Sequence, residues 1–159
     1  MEPIRVVWGT GRAATEMAAY DAALAAAGIE NYNLVAVSSV IPDGATVEET
    51  GTAPDLGPVG NRLTVVQAHE TVPVGDRDPA CAGLAWATTD SGKGLFYEAS
   101  GRDESTVRGA VTEGITSGRS LRDWTFTDQT HRLAVADPDA EAYTSAVVVA
   151  VYGESEPIL

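Results

Sequence analysis

The 159-residue chain is short of most groups that cofactor and metal chemistry relies on. Lysine occurs once, so a pyridoxal phosphate Schiff base could form only at Lys93. That residue sits in Asp90-Ser91-Gly92-Lys93-Gly94, which reads as an exposed turn. Cysteine also occurs once, at Cys81, which excludes an intrachain disulfide and fits a reducing compartment. The two histidines, His69 and His131, stand in separate segments without paired-ligand spacing, so no metal site is expected. No stretch of about 20 uninterrupted apolar residues is present, so no membrane span is expected. The start, Met1-Glu2-Pro3-Ile4-Arg5, lacks the basic and then apolar regions of a signal peptide. A cytoplasmic protein is the expectation. Positive charge is scarce as well: 10 Lys and Arg stand against 23 Asp and Glu, a net charge of −13. Such a field repels a polyanion, so no nucleic-acid partner is expected.

What is present is a chain with 44% hydrophobic residues spread along its whole length, enough for one domain with a core. Ile4–Trp8 reads as a short strand closed by Gly9-Thr10-Gly11. Residues 13–27 are strong helix formers with Met17, Tyr20 and Leu24 at helical spacing, and Gly28 is placed to end the helix. Leu34–Ile41 is apolar and β-branched, which predicts a buried strand stopped by Pro42. Residues 42–60 read as a long irregular connection.

Further strands are predicted at 63–68, 82–88 and 95–99, the last two forming a hairpin around the Lys93 turn. A second helix begins near Asp103-Glu104-Ser105 with the stripe Val107, Val111 and Ile115. Closing strands are predicted at 124–127, 132–136 and 144–152. This order predicts an α+β fold in a single domain, 1–159.

Several constellations compete for the function. Gly9-x-Gly11-x-x-Ala14 imitates a dinucleotide fingerprint, but the next strand ends in Ser38-Ser39-Val40-Ile41-Pro42 and lacks the acid that would hold a ribose. A tight strand-to-helix turn is the better reading of those glycines. No Gly-x-Ser-x-Gly elbow is present, so a serine hydrolase is not supported. Asp21 and Glu98 form one of many carboxylate pairs that an acidic chain offers. The pair Ser38-Ser39 inside an apolar strand has two readings. The hydroxyls can bond to neighbouring backbone. Alternatively, Ser39 can attack the Ser38 carbonyl, form an ester and, by elimination, leave a ketone at position 39 that acts as an electron sink.

The longer context resembles a known family. The run Tyr20-Asp21-Ala22-Ala23-Leu24, Ala27-Gly28-Ile29 and Asn31-Tyr32-Asn33-Leu34 through Ser38-Ser39-Val40-Ile41-Pro42 is similar to the pyruvoyl-dependent arginine decarboxylases. So is the block Gly94-Leu95-Phe96-Tyr97-Glu98-Ala99-Ser100-Gly101-Arg102 with the helix reaching Trp124. Two departures stand out: Asp21-Ala22 replaces an Asp-Gly, and Ser100 stands where an acid often follows the glutamate.

The resemblance implies autocatalytic serinolysis at Ser38-Ser39, giving pieces 1–38 and 39–159 and a covalent pyruvoyl group derived from Ser39. It implies roles for Asn33 in polarising a carbonyl, for Asp21 in binding the guanidinium of L-arginine, and for a buried Glu98 as general acid. It further implies a four-layer αββα sandwich of mainly antiparallel sheets, a homotrimer with sites between subunits, and conversion of arginine to agmatine and CO2. Two alternatives stay open. One is an uncut trimeric binding homologue without catalysis. The other is a related pyruvoyl decarboxylase for another amino acid. The acidic, lysine-poor composition also resembles that of proteins from salt-loving archaea, where salt screens self-repulsion.

Overall fold

A computed structural model describes all 159 residues. Strand β1 (Ile4–Ala13) leads to helix α1 (Glu16–Ala26), then to the short strands β2 (Asn33–Ala36), β3 (Val40–Ile41) and β4 (Val47–Gly51). The long strands β5 (Arg62–Val72), β6 (Ala80–Thr89) and β7 (Gly94–Gly101) follow, then helix α2 (Glu104–Ser120), β8 (Phe126–Ala136) and β9 (Tyr143–Tyr152). The strands form two sheets, ordered β2-β5-β9-β1-β4 and β3-β7-β6-β8. Pairing is antiparallel except β1 with β4 and β2 with β5. The α+β class predicted from element order is the one observed. No helix is long and apolar enough to cross a membrane.

Alternation along the strands divides the core. Ile4, Val6, Val66, Leu84, Phe96, Ala146 and Val148 belong to one apolar cluster that draws on both sheets. The residues of opposite parity, Val7, Val65, Val147 and Val149, pack with Ala23, Leu24 and Ala27 of α1. Ala85, Ala87 and Leu95 pack with Val111 and Ile115 of α2. Because β9 lies between β5 and β1, it is buried from Thr144 to Val151, and its near-continuous apolar sequence follows from that place. Helix α2 matches its predicted stripe, and Asp103 caps it by accepting bonds from the Thr106 N–H and hydroxyl at 2.9 and 2.6 Å. Gly28 takes φ +80° beyond the end of α1, as its place in the sequence suggested.

Four expectations need correction. Gly9 and Gly11 do not form a turn: β1 runs through both to Ala13, and α1 begins at Glu16 behind the cap Thr15. A Cβ at either glycine would collide with the backbone of α1 at Ala22 and Ala23, so close helix-on-strand approach explains them. The apolar run 34–41 is two strands in different sheets; Val35 and Val40 are exposed because β2 and β3 are edge strands, and Val37 because it lies in the crossing between them. Only Ile41 of that run is fully buried. The connection 42–60 contains β4, paired in parallel with β1. Finally, the two predicted segments 124–127 and 132–136 are one strand, β8, paired along the length of β6.

Candidate active site

The split of the run 34–41 creates the site. The chain leaves the first sheet after Ala36 and enters the second at Val40, so Val37–Ser39 crosses between them. Four hydrogen bonds fix this crossing. The Val37 N–H donates to the Val65 carbonyl at 3.0 Å, and the Phe96 N–H donates to the Ser39 carbonyl at 2.8 Å. The Val40 N–H turns back onto the Ser38 carbonyl at 2.5 Å, closing a three-residue turn centred on Ser39. The Ser39 hydroxyl donates to Glu98 Oε2 at 3.0 Å.

Glu98 comes from β7, whose Val40↔Leu95 register with β3 brings it alongside the serine. Ser39 is half-buried, whereas Ser38 and Glu98 are exposed in the single chain, so the expected burial of Glu98 is not met within one copy. All three line a cavity of about 510 Å3 together with Tyr97, Leu121 and Arg122. The Arg122 guanidinium is steadied by the Gly118 carbonyl at 2.9 Å and lies 5.5 Å from the Trp124 ring centre.

Beneath the turn stands Tyr152, the last residue of β9, whose hydroxyl donates to the Val40 carbonyl at 2.9 Å. Its ring contacts Phe96 at 6.0 Å between centroids. Burial, reinforced by the charge of Glu98, pushes the phenol pKa well above its ordinary value. The group therefore stays a protonated donor throughout the physiological range.

Asp21 and Asn33 lie elsewhere. Asp21 is exposed on α1, and Asn33 opens β2 with its amide donating to the Gly60 carbonyl at 2.7 Å. Both line a second cavity of about 660 Å3 that also holds Tyr20, Glu30 and Tyr32. The two cavities share no lining residue. Within one chain the structure therefore unites Ser38, Ser39 and Glu98 and keeps Asp21 and Asn33 apart from them. Sequence reading missed the Val40 and Phe96 amides, Arg122 and Tyr152. Backbone donors carry no sequence mark, and Tyr152 carries only the weak one of a polar aromatic ending an apolar strand.

The site thus sets a serine hydroxyl on a carboxylate beside a carbonyl that already accepts an N–H, a base and a donor for chemistry at the serine pair. Comparison with known proteins agrees. A family model described as pyruvoyl-dependent arginine decarboxylase matches residues 3–157. A pyruvoyl-dependent arginine decarboxylase of Halobacterium salinarum is 53% identical over 162 residues, spanning 99% of this chain and 98% of that protein. Proteins of the same name from Pyrococcus abyssi and Methanopyrus kandleri are 34% and 30% identical, over 84% and 92% of this chain. With its sheet-crossing serine pair and this full-length likeness, the chain belongs to the pyruvoyl-dependent arginine decarboxylase family.

Proposed function

We propose that the chain cuts itself between Ser38 and Ser39 and then decarboxylates L-arginine to agmatine and CO2. The observation that carries this reading is the 3.0 Å bond from the Ser39 hydroxyl to Glu98 beside the Val40-bonded Ser38 carbonyl. Glu98 takes the hydroxyl proton as Ser39 Oγ attacks the Ser38 carbonyl carbon. The Val40 N–H steadies the negative charge that develops on that oxygen. The Ser38–Ser39 amide bond breaks, its nitrogen gains a proton, and an ester joins Ser38 to the Ser39 side chain.

Loss of the residue-39 α-proton then breaks the Cβ–Oγ bond. This frees a Ser38 carboxylate on 1–38 and leaves dehydroalanine, which takes up water and releases ammonia. The resulting keto group supplies the electron sink for loss of CO2 from a bound amino acid. Space for that substrate fits the 510 Å3 cavity on which Ser39 opens. Glu98, already within reach of residue 39, returns the proton to the substrate α-carbon.

Asp21 binds the guanidinium through a carboxylate pair, and Asn33 positions a carbonyl at the same site. Because these two residues line a separate cavity, we place them in the Ser39 site of a neighbouring copy within a homotrimer. Exposed Val35, Val37, Val40 and Leu121 near the crossing suit such an interface. A neighbour seated there would also provide the burial that Glu98 lacks alone. The three apolar clusters support the finer reading of a single four-layer αββα domain.

Intact-mass measurement tests the central step. Purified protein should give two masses, for 1–38 and for 39–159 with a blocked N-terminus, and Ser39→Ala should stay whole and inactive. Cleavage of the alanine variant would defeat the chemistry, and a wild-type chain that stays whole would indicate the uncut binding homologue. CO2 release should be larger from arginine than from ornithine, lysine, histidine or aspartate; preference for another of these would reassign the substrate.

A further inference from the structure

Residue Val40 is held in an unusual way for an edge strand. Opposite Leu95, with the Phe96 N–H bonded to the Ser39 carbonyl, Val40 occupies a non-hydrogen-bonded position of the antiparallel ladder. Its own N–H and carbonyl therefore point away from β7, to the side where an edge strand normally meets solvent. Both are nevertheless engaged. The N–H bonds back to the Ser38 carbonyl, and the carbonyl receives the hydroxyl of Tyr152 from the other sheet.

On the side away from β7, Tyr152 is the one partner of the Val40 carbonyl within the chain, whereas the preceding peptide is held by Phe96. Its side chain is 47% exposed, and β3 is only two residues long. Tyr152, by contrast, is anchored well. It is paired with Ile4 across β1 and β9 and its ring lies tilted at 59° against Phe96, and its phenol bonds to nothing except Val40. The Val40 N–H lies in the peptide before Val40, which Phe96 holds through the Ser39 carbonyl, and the Val40 carbonyl lies in the peptide after it, which Tyr152 holds. The two grips together set the Val40 backbone torsions and so the aim of its N–H at the Ser38 carbonyl.

We propose that Tyr152 is a positioning residue for self-cleavage: its hydroxyl tethers the Val40 carbonyl and, together with the Phe96 bond to the Ser39 carbonyl, fixes the Val40 torsions that keep the Val40 N–H on the carbonyl that Ser39 attacks. This rests on the cleavage reading above and adds to it a residue from the opposite sheet. The tether touches no reacting atom. It acts by keeping the charge-stabilising donor in place before the acyl shift begins. It should therefore change the rate of ester formation and not the later elimination.

The test uses freshly synthesised, uncut full-length chain, with cleavage followed by intact mass and folding by thermal melting. Tyr152→Phe keeps the ring and removes the tether, and should slow cleavage about tenfold, the order expected for loss of one hydrogen bond that positions the donor to the developing charge. Hydroxylamine, which cuts an accumulated ester, should not restore the rate, because the blocked step precedes the ester. Val72→Ala, buried at the far end of β5 opposite Thr144, should lower the melting temperature and leave the cleavage rate near wild type.

Cleavage of Tyr152→Phe within twofold of wild type would overturn the inference while leaving the cleavage reading intact. So would equal slowing in Val72→Ala. A wild-type chain that never cuts would instead remove the reading beneath both. If Tyr152→Phe does not fold, two unnatural residues at position 152 decide: 4-aminophenylalanine, which keeps a donor for the Val40 carbonyl, should cleave near the wild-type rate, and 4-fluorophenylalanine, which has none, should be slow; equal rates in the two would refute the tether.

Discussion

A cut after Ser38 should leave residues 1–38 in place, and the structure says how firmly. Strand β1 is an interior strand, paired through ten residues with β9 on one side and with β4 on the other. The segment contributes Ile4, Val6, Val7, Leu24 and Ile29 to the buried core, along with Ala19, Ala23 and Ala27. At roughly 1.5–3 kcal/mol for each buried large aliphatic, those five side chains supply about 7–15 kcal/mol. That is as large as the entire net stability of a typical domain, about 5–15 kcal/mol. Breaking one peptide bond removes none of those contacts.

The cleaved protein should therefore elute from a sizing column as one species containing both pieces in equal amounts. It should resolve into two only after denaturation. Leu24→Ala, which empties part of the α1 contact, should lower the urea midpoint for separation by an amount equivalent to about 2–4 kcal/mol. Loss of 1–38 during chromatography without denaturant would refute the argument, since it would mean that an interior strand exchanges freely with solvent.

Two further outcomes follow from the packing and charge. Gly9→Ala puts a methyl group against the α1 backbone at Ala23, which cannot yield as a flexible side chain would. It should cost about 1–3 kcal/mol, visible as a lowered melting temperature, and an unchanged melt would show that α1 has slack. The net charge of −13 is uncompensated and most of the 23 acids stand outside the six ion pairs, so molar potassium chloride should raise the melting temperature by screening self-repulsion. A melt that is flat or falls with salt would count against repulsion as a destabilising factor.

Local signals in the sequence were read correctly where the cause is local. Asp103 and the stripe Val107, Val111 and Ile115 define α2 because capping and helical spacing are properties of neighbours in the chain. The hairpin around Lys93 and the cap at Gly28 are of the same kind. Failures cluster where the cause lies across the fold. Gly9 and Gly11 look like a turn until the backbone of α1 is placed on β1. The run 34–41 looks like one buried strand because apolar periodicity cannot report a change of sheet. That second error concealed the geometry at the serine pair. Resemblance supplied Ser38, Ser39 and Glu98, and no reading of composition or spacing could have supplied the Val40 amide or the register that sets Tyr152 beneath it.

The position of the serine pair has one more consequence. Chain cleavage there would turn residue 39 from the middle of a crossing into a loose end, fastened on one flank alone. The restraints would not be shared equally between the two products. The Val40-to-Ser38 link would then join two separate pieces, while the Phe96 grip on residue 39 and the Tyr152 grip on Val40 would both belong to the fragment that keeps the new ketone. The same scaffold could thus serve twice in succession, first bending an intact backbone toward rupture and afterwards steadying the exposed tip that remains.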